Sequence, residues 1–153
     1  MQLEQMYQEI ILDHYKHPHG KGLADNFTAQ VHHVNPTCGD EITLQITRDP
    51  ADGQKLLVSY QNQGCSISQA SASILFDQLN GQTLPTGELA VGHLVAMLQR
   101  MEEPNEEILG DGIALVGVAQ YPARVKCALL AWMAWKDAAI QALGQNQATV
   151  GEK

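Results

Sequence analysis

Ile42, Leu44 and Ile46 alternate with Thr43, Gln45 and Thr47, and this period of two commits the middle of the chain to a sheet with one apolar and one polar face. The alternation recurs on both sides, from Thr28 to Val34 and through Leu56, Val58 and Tyr60, with Asp49 to Gly53 reading as a turn. Strands joined by connections this short are antiparallel, because a parallel pair needs a crossover of about a dozen residues. The expectation is therefore a three-stranded antiparallel sheet.

Outside that block the spacing is helical. Leu3, Met6, Tyr7, Ile10, Ile11 and Tyr15 form one apolar stripe that should dock, and His17-Pro18-His19-Gly20 ends it. Ser66 to Asn80 is a second helix, bounded by Gly64 and Gly81. A third runs from Thr86, read as its N-cap, to Met101, with Leu89, His93, Leu94, Met97 and Leu98 near one face and Pro104 closing it. Asp111 to Gln120 fits either a helical turn or a strand. Pro122 to Leu143 is the strongest helix, with proline suited to its first turn. Strands followed by helices predict an α+β domain in which helices cover one face of the sheet. A chain of 153 residues holds one core, so residues 1–144 are expected to form a single domain and 145–153 a flexible C-terminal tail.

The formal charge of −8, from 17 acidic and 9 basic residues, opposes binding to nucleic acid or to an anionic membrane. The longest apolar runs, such as Ala128 to Ala134, fall short of the roughly 20 residues of a membrane span. Residues 1–12 carry acidic side chains and no basic segment ahead of an apolar one. A cytoplasmic location and a soluble protein partner are expected.

Three cysteines cannot all pair within one chain, which turns attention to metal binding or thiol chemistry, against the alternative of three small buried hydrophobes. Each lies at a boundary between elements. Cys38 sits in the turn Asn35-Pro36-Thr37-Cys38-Gly39-Asp40, Cys65 follows Gly64 at the start of a helix, and Cys127 lies in the first two turns of the last helix. Proximity to a helix N-terminus favours thiolate, so Cys65 and Cys127 are expected to have lowered pKa values. Asp40, two residues after Cys38, either adds a carboxylate to the same ion or caps the turn. Three thiolates and one carboxylate suit tetrahedral zinc and leave a net charge of −2 that Arg124 and Lys126 would balance, unless both are a solvated helix face. The cysteines are 27 and 62 residues apart, far from zinc-finger spacing. Of the six histidines none is expected as a ligand of this ion; His32 and His33 point to opposite strand faces.

Three ordered motifs carry a resemblance along nearly the whole chain. They are Asn35-Pro36-Thr37-Cys38-Gly39-Asp40, Gly64-Cys65-Ser66-Ile67-Ser68-Gln69-Ala70-Ser71-Ala72-Ser73 and Pro122-Ala123-Arg124-Val125-Lys126-Cys127-Ala128, joined by Asp13-His14-Tyr15. With them the chain resembles the SufU family, a branch of the NifU-like or IscU-like iron-sulfur assembly proteins with a SufE/NifU-like fold. Lys126, where IscU-type scaffolds resemble one another in having histidine, and the absence of their Leu-Pro-Pro-Val-Lys motif, point to SufU. The resemblance implies one zinc ion held by Cys38, Asp40, Cys65 and Cys127. It also implies sulfurtransferase activity: Cys38 would take persulfide sulfur from a SufS-type, PLP-dependent cysteine desulfurase and pass it to a SufB-containing scaffold complex, with Arg124 steadying the site. The alternative is a scaffold on which a transient [2Fe-2S] cluster is built on the same ligands.

Overall fold

The structure is a computed structural model that describes residues 2–144; the expected tail at 145–153 lies outside the described residues. Helix α1 spans Gln2–Lys16, followed by strands β1 (Ala29–Asn35), β2 (Asp40–Arg48) and β3 (Leu56–Gln63). Helices α2 (Ser66–Leu79), α3 (Leu84–Leu98) and α4 (Glu106–Leu109) come next, then a run of 3₁₀ turns over Gly110–Gln120 and the long helix α5 (Pro122–Leu143). The strands form one antiparallel sheet in the order β1-β2-β3.

The alternation of Ile42, Leu44 and Ile46 sets the register. Pairing of Val31 with Leu44 and of Leu44 with Tyr60 puts the large apolar side chains on one face. Helix α5 lies across β1 and β2 on that face, and α2 packs beside it against β3. Trp132, Trp135, Leu44, Ile46 and Ile74 are fully buried in this core, and Leu94 of α3, which packs on α5, joins them. Side chains of this size each contribute about 1.5–3 kcal/mol on burial. Trp132 Nε1 donates to Ser71 Oγ at 2.8 Å, and that hydroxyl donates to the Ala128 carbonyl at 2.6 Å, pinning α2 to α5. Gly87 of α3 is as close to Trp135 as a residue can come: a Cβ there would lie 2.0 Å from the indole.

Four expectations need correction. The α3 N-cap is Thr83, whose side chain accepts the N–H of Thr86, and Pro85 occupies the first turn. The helix buries Ala90, Val91, Leu94, Met97 and Leu98, while Leu89 faces solvent, because at 3.6 residues per turn it falls beside the stripe through positions 90, 91, 94, 97 and 98. In α1 the buried contact is made by His14, with Leu3, Met6 and Tyr15 exposed. The polar sheet face is not wholly open either. Gln45 is buried there because the segment after α1 crosses it: Ala24 N–H donates to Gln45 Oε1 at 2.8 Å, and Ser59 Oγ donates to the same oxygen at 2.7 Å. Residues 110–120, left open between helical turn and strand, form 3₁₀ turns. Among the described residues no helix is long and apolar enough to cross a membrane.

Candidate metal centre

Antiparallel pairing brings Asn35 opposite Asp40 at the end of β1 and β2, leaving Pro36 to Gly39 as a tight turn. The N–H groups of Cys38 and Gly39 both donate to the Asn35 carbonyl, at 3.2 and 2.9 Å, and Gly39 takes a φ of 75° that disfavours other residues. The turn holds Cys38 out into solvent while the first residue of β2, Asp40, points inward and is fully buried. From the opposite side α5 delivers Cys127, also fully buried. The Cys127 and Cys38 sulfurs lie 3.4 Å apart, and both sit with an Asp40 oxygen in a group whose ligand atoms are all within 4.8 Å of one another.

Cys65 closes the site at the N-cap of α2. Its backbone N–H donates to Asp40 Oδ1 at 2.9 Å. Its thiol stands outside the tight group of three, with Sγ 3.9 Å from Ser68 Oγ, yet it interacts with both Asp40 and Cys127. Gly64 makes this approach possible. It adopts a φ of 144°, and a Cβ on it would fall 2.2 Å from Asp40 Oδ1 and 2.8 Å from Ser68 Oγ.

The electrostatics fit a cation. Burial alone would raise the Asp40 carboxyl, but the adjacent Cys127 thiol, the Cys65 backbone N–H that donates to it, and the neighbouring Ser68 and Cys65 side chains outweigh burial and hold the group below its usual value. Asp40 is thus a buried carboxylate, and its Oδ2 has no hydrogen-bond partner among the described residues. A buried anionic oxygen without a partner is costly unless a positive charge meets it. The Cys127 thiol shows the same need from the other side. Burial, then the neighbouring Asp40, Cys38 and Cys65, push it far above the ordinary thiol range. The expected lowering by the helix N-terminus is overturned for Cys127, because desolvation and adjacent carboxylate and sulfur groups outweigh a partial helix charge. A soft divalent ion reverses this balance, and sulfur and carboxylate donors in one place are what zinc or a cluster iron accepts.

Two groups of this site escaped the sequence reading. Asn35 is buried and its Nδ2 donates to Cys127 Sγ at 3.8 Å, and Ser68 Oγ donates to the Cys65 carbonyl at 3.0 Å while also supporting Asp40. Their signal was present, since each lies in a motif with a cysteine. Arg124 and Lys126 are exposed near the start of α5, and among the described residues neither forms an ion pair; every ion pair there joins a histidine to a carboxylate. His32 contacts Thr43 and Glu41 on one sheet face and His33 reaches Asp137 of α5 on the other, as their adjacent positions in a strand require.

Known proteins resemble this chain over most of its length. The zinc-dependent sulfurtransferase SufU of Bacillus subtilis is 37% identical over 147 residues, covering 94% of this chain and 96% of that one. The iron-sulfur cluster assembly scaffold protein IscU of Streptococcus pyogenes is 36% identical, with 89% and 84% covered. The crystal structure of FiSufU from Fervidobacterium islandicum AW-1 superposes with a TM-score of 0.79 at 33% identity, covering 89% of this chain and 98% of that one. The NifU-like N-terminal domain matches residues 6–128, and by this match and these identities the chain belongs to that family.

Proposed function

We propose that the chain serves iron-sulfur cluster assembly as a zinc-dependent sulfurtransferase, taking persulfide sulfur from a PLP-dependent cysteine desulfurase of the SufS type and handing it to a SufB-containing scaffold complex. The observation that carries this reading is the contrast in exposure within the sulfur group: Cys38 is open to solvent, whereas Asp40 and Cys127 are fully buried. Likeness to a relative named a zinc-dependent sulfurtransferase supports it. A cytoplasmic place of work goes with the same reading.

Cys38, Asp40, Cys65 and Cys127 would hold one zinc ion, which when bound keeps thiolates at neutral pH. Cys65 and Cys127 are anchored on helices tied together through Ser71, while Cys38 rides on the Pro36 to Gly39 turn and is the sulfur free to reach a partner. Its thiolate attacks the terminal sulfur of the desulfurase persulfide. The donor S–S bond breaks, a new one forms on Cys38, and the desulfurase cysteine leaves as thiolate. One S–S bond replaces another, so no oxidant is needed. Arg124, exposed three positions before Cys127, would steady the anionic persulfide.

The test is alanine release from cysteine by the cognate desulfurase, with no iron present. Zinc-loaded protein should stimulate it saturably, and Cys38→Ala should abolish the stimulation while the fold persists. An unstimulated but active desulfurase would discard the reading. The similarity to a protein named a cluster scaffold favours a second reading, a transient [2Fe-2S] cluster on the same residues. Anaerobic reconstitution followed by transfer to an apo-ferredoxin would select it.

A further inference from the structure

Among the described residues a second group of metal-binding side chains lies away from the thiols. One ring nitrogen of His14, one of His19 and a carboxylate oxygen of Asp77 are all within 4.8 Å of one another. The group joins α1, the loop after it and α2. Asp77 stands twelve residues beyond Cys65, about 18 Å along the chain at helical rise, so the two centres are separate.

His14 is oriented from behind. It is 2% exposed, and its Nε2 lies 2.9 Å from Asp111 Oδ2. A carboxylate only accepts, so Nε2 carries the proton and in the neutral ring Nδ1 presents its lone pair. A carboxylate behind an imidazole is the usual support of a metal-ligating histidine. Nδ1 faces the Ser73 hydroxyl at 2.7 Å, and that oxygen also accepts the His19 backbone N–H at 2.9 Å. When an ion takes Nδ1, the Ser73 oxygen keeps the His19 N–H that it accepts, and its own proton must turn to another acceptor. On the outer side His19 Nδ1 reaches both Asp77 oxygens, at 2.8 and 2.7 Å. The side chains of His19 and Asp77 are 43% and 33% exposed, which gives an ion the entry that buried His14 lacks. Glu9, Asp13 and Asp111 line the cleft that opens onto His14, so the local field draws cations.

We propose that His14, His19 and Asp77 form a second site, for a first-row divalent ion, with water completing its shell. Two imidazoles and one carboxylate with open positions are a donor set suited to Zn²⁺, Co²⁺ or Fe²⁺. Ligands about 2.0–2.1 Å from one ion stand about 3.3 Å apart in a tetrahedron, and rotation of the two exposed side chains toward fixed His14 closes the distance. This site does not depend on the sulfur-transfer reading.

The probe is Co²⁺, followed by equilibrium dialysis and absorption on the full chain. Two equivalents are expected, one with a thiolate-to-metal charge-transfer band and one with only the weak bands of nitrogen and oxygen ligation. His19→Ala and Asp77→Asn, both outside the core, should keep the first and weaken the second at least tenfold. Asp111→Asn should weaken it about 10–100-fold through loss of His14 orientation. Uptake of the thiolate-bound equivalent alone, or a second equivalent that survives in both His19→Ala and Asp77→Asn, would overturn the site. Weak bands without charge transfer would uphold it and count against the thiol centre, so the two readings fail separately.

Discussion

Replacing Gly64 by alanine should damage the thiol centre through one contact. The added Cβ would land 2.2 Å from Asp40 Oδ1, more than 1 Å inside normal contact, and 2.9 Å from the Asp40 Cα. The carboxylate must swing away, which breaks the 2.9 Å bond from the Cys65 N–H. A hydrogen bond to a charged group is worth about 1.5–3 kcal/mol, and the φ of 144° adds about 1–3 kcal/mol of backbone strain for any side chain. The expected loss in the metal-free protein is therefore about 2.5–6 kcal/mol, read as a lower urea midpoint, with zinc affinity falling in a chelator competition. Gly39→Ala is the control. Gly39 also has positive φ, 75°, but a Cβ there meets nothing within 4 Å, so only about 1–2 kcal/mol is expected. Equal losses in the two variants, with unchanged zinc affinity in Gly64→Ala, would refute the argument that Asp40 is what requires glycine.

Gly87→Ala should lower the thermal midpoint more than any exposed substitution in α3, because its methyl would fall 2.0 Å from the Trp135 ring and force α3 off α5; an unchanged midpoint would show that the interface yields. Tyr60→Phe removes the hydroxyl that donates to the His19 carbonyl at 2.8 Å and should cost about 1 kcal/mol by urea unfolding, with faster exchange of the Gly22 amide that bonds to the Tyr60 carbonyl. Because burial raises the Cys127 thiol above its ordinary value of 9.0, the folded metal-free chain keeps a proton that the unfolded chain sheds, so this stability is whole below pH 9 and is lost as pH rises beyond it. Cys127 contributes about 1.4 kcal/mol per pH unit, and between pH 9 and 10, below the point where buried Tyr60 adds a slope of the same sign, that contribution should be missing in Cys127→Ala; identical slopes in the two proteins over this interval would count against it.

The strand pairing was legible because alternation at Ile42, Leu44 and Ile46 has one solution, and a slip of a single residue would turn all three to water. Helix ends were less so. Thr83 and Thr86 are equally good caps by composition, and in the folded chain it is the Thr83 side chain that accepts the Thr86 N–H. At the centre, motifs marked Cys38, Asp40, Cys65 and Cys127, and the structure gathers three of those donors tightly with Cys65 at their edge. Local sequence said nothing of the burial that reverses the expected effect of the helix on Cys127. Nor did it show that His14 faces Asp111, 97 positions away. Burial and long-range pairing are properties of the packed whole.

The sulfur contact between Cys38 and Cys127 spans 89 positions, whereas Cys38, Asp40 and Cys65 are neighbours across two hairpins and a helix start. Contacts of low sequence separation form early and distant ones wait for loop closure. During synthesis from the N-terminus, an emerging chain thus exposes two thiols and a carboxylate before α5 exists to complete them. With metal held as proposed, the completed group would report that the last helix has docked, and metal retention would be a readout of folding. A dilute chelator would strip nascent or misfolded copies while sparing mature ones.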